Sequence, residues 1–212
     1  MISDHSSTAK RFFDWALIRL SRNTRVDGLW VGVFMEERGA EILKRLVEAL
    51  QLIKSCDPYR YRRVLREIQR IWAHPLPWEW AIWLPALKRC VVDPRFVLSA
   101  SPSLIASAIV HEATHAAMGQ RHIGYSEQLR DRVEKVCMRQ ELAFAAKIPE
   151  GDELRRNIEG RLTSTPPDWL TDTALSERRI KGEFEMARYA HIPNWVVRAA
   201  QCIREKRASR RR

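Results

Sequence analysis

The chain has 212 residues, 45% of them hydrophobic and 30% charged, with a net charge of +11. That length holds one sizeable core, or one domain with a small subdomain, and the balance of apolar and charged residues excludes a disordered or fibrous chain. No stretch carries the apolar run needed to span a bilayer. Cys56, Cys90, Cys137 and Cys202 stand far apart with no C-x-x-C pair, so no disulfide framework is legible; a cytoplasmic protein in a reducing compartment is expected.

Taken in order, the first ten residues are polar. Residues 10–21 place Phe12, Phe13, Ala16, Leu17 and Leu20 at helical spacing. Residues 23–28 have turn chemistry, and residues 29–35 are rich in strand formers. A helix is expected over 37–54, with Ile42, Leu43, Leu46, Val47, Leu50 and Ile53 on one face. Asp57 is a candidate N-cap with Pro58 at the first helical position, starting a helix that the spacing of Tyr61, Val64, Leu65, Ile68 and Trp72 carries to residue 72. Its other face bears Arg60, Arg62, Arg63, Arg66 and Arg70. No stacking aromatics interleave with them, so a solvated basic face is expected rather than a nucleic-acid patch.

Residues 80–84 and 87–92 read as two strands around Pro85, and residues 95–98 as a third extended piece. Together they predict a small antiparallel sheet. Ser101 caps and Pro102 opens a helix that should reach Met118 and stop near Gly119. After a turn over 121–124, Ser126 starts a long helix over 127–147. Residues 149–167 are polar and irregular, and helical character resumes over 175–189 and 195–204. The implied organisation is a mainly helical N-terminal part over 1–79, a core over 80–148, a helical part over 149–203 and a basic tail over 204–212. That tail reads as solvated.

Inside the helix that begins at Ser101 stands His111-Glu112-Ala113-Thr114-His115, an H-E-x-x-H pattern. Two histidines four residues apart project from one helix face and can share one zinc ion. Glu112, pointing differently, can sit beside the open coordination position and take a proton from zinc-bound water. Burying two imidazoles and a carboxylate on so apolar a helix is costly without a partner, and a metal removes that cost. If the helices on either side of the turn near residue 122 pack antiparallel, positions equidistant from the turn face each other. Glu134 then lies opposite the histidines and is the expected third ligand. Glu141 shares its face and is the alternative under a register shift. Cys137 reads as a small core residue.

His-Glu-Ala-Thr-His followed by eighteen residues and Glu134 resembles the gluzincin pattern of zinc metallopeptidases, over residues 80–147. The resemblance implies an α+β, mainly helical fold with a zincin-like core: a small sheet whose edge strand lines a cleft, an active-site helix, and a second helix bearing the glutamate. It also implies an acidic residue four after that glutamate to support a histidine. Here that position is Met138, which leaves Asp131 or Glu141 for the task. Residues 140–149 also resemble a helix of stress-regulator peptidases, which keeps Glu141 in play as a ligand. For the oxyanion-stabilising group that gluzincins use, Tyr189 is the first candidate, with His191, His122 and Tyr125 behind it.

The expected function is therefore a zinc-dependent hydrolase, most simply a peptidase acting on a peptide or protein substrate. The alternatives are a zinc hydrolase of non-peptide bonds, and a zinc-stabilised module whose basic surface binds nucleic acid or an acidic partner. Glu112 argues against the last, since a closed structural site has no use for a base.

Overall fold

The computed structural model describes residues 18–34, 36–76, 79–149, 151–164, 171–175 and 177. The expected helices over 10–21, 175–189 and 195–204 fall mostly outside these residues, and the basic tail wholly so. The order of elements is β1 (Arg22–Val26), β2 (Leu29–Val33), α1 (Gly39–Cys56), α2 (Pro58–Glu67), β3 (Arg70–Ala73), β4 (Ala81–Leu84), β5 (Arg89–Val92), α3 (Pro94–Ser99), α4 (Pro102–Gln120), α5 (Glu127–Ala145) and α6 (Asp152–Thr163). The fold is α+β, with one five-stranded sheet ordered β1-β2-β3-β5-β4.

That sheet is mixed, not antiparallel as expected. β1 pairs antiparallel with β2, and β4 with β5, but β2–β3 and β3–β5 are parallel. The reason is topological. α1 and α2 carry the chain across the sheet between β2 and β3, and a crossover of that kind leaves its two strands parallel.

Four local readings are corrected. The stretch over 23–28 is mostly strand β1, and the turn is only Asp27 and Gly28, with φ of 48° and 86°. Two residues of positive φ make the primed turn that matches the twist of a hairpin, and Asp-Gly is its sequence signature. The helix expected to reach residue 72 ends at Glu67, where Ile68 turns extended, and Arg70–Ala73 become the central strand. There Ile71 faces the main core and Trp72 the opposite side of the sheet, so the spacing of Ile68 and Trp72 only imitated a helix. The third extended piece over 95–98 is helix α3, because the Asp93 carboxylate accepts from the backbone N–H groups of Arg95 and Phe96 with Pro94 at the first position. The polar stretch after Pro149 contains α6, anchored by the fully buried Ile158.

One face of the sheet is covered by helices. Val31, Val33, Ile71, Cys90 and Val92 meet Ile42, Leu46, Leu50 and Ile53 of α1 and Ile105 and Ile109 of α4. On the other face Trp30, Trp72 and Val91 gather with Phe34, Ile82 and Leu84. Trp30 folds over Gly32, where an added Cβ would lie 2.1 Å from the indole ring, so only glycine fits that position. The arginine face of α2 is not simply solvated. Arg60 is buried on the Asp57 carboxylate, and Arg60 and Arg63 both donate to Gln140 of α5, at 3.1 and 3.2 Å.

Candidate metal centre

α4 opens as its sequence dictates: the Ser101 hydroxyl accepts from the Leu104 N–H, with Pro102 at the first position. Ile105, Ile109, Val110 and Ala113 face the core, which turns His111 and His115 toward α5. The two helices pack closely, joined by a turn in which His122 takes a φ of 57°. The imidazole rings are 4.8 Å apart, and their Nε2 atoms approach to 3.0 Å. From α5 the Glu134 carboxylate straddles the pair, 3.2 Å from His111 Nε2 and 3.3 Å from His115 Nε2.

Glu141 sits on the other side of His111. Its Oε1 accepts from His111 Nδ1 at 2.6 Å, and its Oε2 accepts from the Ser107 hydroxyl at 2.9 Å. The carboxylate thereby fixes the tautomer that leaves Nε2 facing His115 and Glu134. Arg161 of α6 stands 3.6 Å from Glu141. Asp131 pairs with Lys135 at 2.9 Å and plays no part in this support.

Glu112 is buried at 7% exposure, and the Trp83 backbone N–H of β4 hydrogen-bonds its carboxylate. Burial pushes its pKa above the ordinary carboxylate value, against the pull of the two histidines. Burial acts the same way on Glu134, but hydrogen bonds from His111 and His115 outweigh it and hold that carboxyl well below the usual range. Burial disfavours a charged His111, yet Glu134 and Glu141 more than compensate and raise its pKa well above normal.

This donor set fits a metal. Two imidazole nitrogens 3.0 Å apart and facing one carboxylate need a cation between them, and a proton is the minimal one. Zinc bonds of about 2.0–2.1 Å set tetrahedral ligand atoms about 3.3–3.4 Å apart, close to the 3.0, 3.2 and 3.3 Å found here. A third donor type is also at hand. Cys137 Sγ forms with His111 and His115 a group whose ligand atoms all lie within 4.8 Å of one another. That cluster could hold a metal ion, and the Glu134 carboxylate stands against the same two imidazoles.

A cleft of about 170 Å³ opens onto His111, Glu112, Glu134 and Glu141, walled by Ala81 of the edge strand β4 and by Leu104 and Ala108 of α4. A second hollow of about 470 Å³, reaching to Arg95 and Ser99, adjoins it and shares Glu79, Trp80 and Leu104 as lining. Trp80 is exposed there and stacks on Phe96 at 5.2 Å.

Of the oxyanion candidates, Tyr125 lies at the centre: its hydroxyl donates to Glu134, and its ring meets His115 edge-on at 5.4 Å. His122 is exposed in the turn. Tyr189 and His191 lie outside the described residues. Ser107, Arg161, the Trp83 N–H and the approach of Cys137 enter the centre from the structure alone. Only Cys137 had a signal, its three-residue spacing from Glu134. No family model, curated protein or solved structure matches this chain. Among the described residues, no helix is long and apolar enough to cross a membrane.

Proposed function

We propose that this chain is a zinc-dependent hydrolase, and within that class a peptidase, with a gluzincin-like centre in which His111, His115 and Glu134 hold the metal and Glu112 is the general base. The observation that carries the proposal is the convergence of two Nε2 atoms and the Glu134 carboxylate at 3.0–3.3 Å, beside a buried Glu112 that lines the cleft. Zinc bound there supplies a coordinated water of near-neutral pKa and a Lewis acid for the scissile carbonyl.

The rest is done by the chain's own residues. Glu112 takes the proton of the attacking water and returns it to the leaving amine. The Trp83 N–H keeps Glu112 aimed, and Glu141 keeps the His111 tautomer fixed. Ala81 of the edge strand β4 lines the cleft beside His111 and Glu112, and an edge strand at such a cleft suits an extended peptide.

The test is Glu112→Gln. Wild type and variant, each carrying one zinc, are incubated with a proteome-derived peptide library, and new termini are read by mass spectrometry. Cleavage by wild type alone is expected. Turnover that survives in the variant removes Glu112 from its role, and a wild type that cleaves esters but no peptide moves the substrate class to non-peptide bonds.

A further inference from the structure

The centre contains one more donor than hydrolysis requires. Cys137 follows Glu134 by three residues on α5, so both side chains leave one face of that helix a turn apart. The thiol is fully buried, and its Sγ joins the ligand atoms of His111 and His115 in a group spanning no more than 4.8 Å. Among the described residues it has no disulfide and no hydrogen-bond partner, and its packing neighbours Met118 and Val133 are apolar. His111, Glu112 and Glu134 line the cleft, whereas Cys137 does not. Its sulfur therefore approaches the imidazoles from the packed side, away from where a substrate enters.

We propose that Cys137 is a fourth protein donor, closing the centre in a resting form that has no position left for water. This rests on the zinc reading above and adds regulation to it. On coordination the S–H bond would break, sulfur would bond to the metal, and the proton would be released to solvent. Zinc bonds of about 2.3 Å to sulfur and 2.0–2.1 Å to nitrogen place those ligand atoms about 3.5 Å apart in a tetrahedron. A group already within 4.8 Å reaches that separation by a shift of little more than about 1 Å, shared among the three side chains. A site of two histidines, a glutamate and a cysteine is closed, like structural zinc sites; withdrawal of the sulfur frees the fourth position that catalysis needs.

X-ray absorption at the zinc edge on the full-length, zinc-loaded protein tests this. The expected result is one sulfur at about 2.3 Å beside nitrogen and oxygen neighbours, lost in Cys137→Ser while one zinc remains bound. A wild type holding one zinc with only nitrogen and oxygen around it overturns the proposal, as does a sulfur that persists in Cys137→Ser. A wild type that takes up no zinc overturns the underlying zinc reading instead. Should Cys137→Ser not fold, cobalt(II) in the wild type decides: a thiolate-to-cobalt charge-transfer band supports Cys137, and bound cobalt without that band refutes it.

Discussion

Replacing Glu134 and Glu141 in turn by glutamine separates a ligand from the group that orients one. Glu141 touches only the rear of His111, at Nδ1, and is held there by Ser107. A glutamine can still accept the Nδ1 hydrogen through its amide oxygen, so the ring keeps its direction and loses only the charge behind it. Such support is worth about 10–100-fold in metal affinity, or about 1.4–2.7 kcal/mol. Glu134 faces the Nε2 atoms of both histidines. On the proposed ligand set Glu134→Gln removes a charged donor from the metal itself, so its loss of zinc affinity should exceed that of Glu141→Gln. Competition against a chromophoric zinc chelator near neutral pH measures both constants. If Glu141→Gln proves the more damaging, the third ligand is Glu141 and the assignment made here is reversed. If it leaves affinity untouched, the charge on Glu141 adds nothing to metal binding beyond the hydrogen bond that glutamine keeps.

Other consequences concern the frame that carries the centre. Asp57 is fully buried, caps α2, pairs with Arg60 and takes Lys147 at 3.1 Å; Asp57→Ala should cost about 3–5 kcal/mol in urea denaturation, because it strands a buried Arg60. Burial raises the pKa of Asp57, but the hydrogen bonds from Arg60 and Lys147 prevail and lower it. Its contribution is therefore complete above the unfolded value of about 3.9 and fades as pH falls through the lower folded value. Asp57→Asn should flatten that acid limb, and an unchanged limb would assign it to other carboxylates. Gly32→Ala drives a methyl into the Trp30 ring and should destabilise by about 1–3 kcal/mol. Gly119→Ala, in α4 with open space around it, should gain about 0.5–1 kcal/mol. A Gly32→Ala protein as stable as wild type would mean that Trp30 does not lie over that position.

Much of this was legible because three helices announce themselves alike. Asp57-Pro58, Asp93-Pro94 and Ser101-Pro102 each set a capping oxygen before a proline at the first helical turn. At Asp93 the same signal is masked, because Phe96, Val97 and Leu98 resemble a strand. β3 was lost for a different reason. Three buried residues in a row, Ile71, Trp72 and Ala73, have no amphipathic alternation to display, and Ile71 and Trp72 continue the helical period before them. The hairpin of α4 and α5 followed from apolar spacing and a short turn, and equidistance from that turn brings Glu134 opposite the histidines. It could not set the rotation of α5 about its own axis, which is what brings Cys137 toward the imidazoles. Nor does a side-chain pattern reveal a backbone donor such as the Trp83 N–H on Glu112.

The central claim is that His111 and His115 form a zinc site, and elemental analysis of the purified full-length protein tests it most directly. One zinc per chain is predicted, lost in His115→Ala and retained in Glu112→Gln. A fully folded wild type that carries no zinc and takes none up when it is supplied would contradict the account.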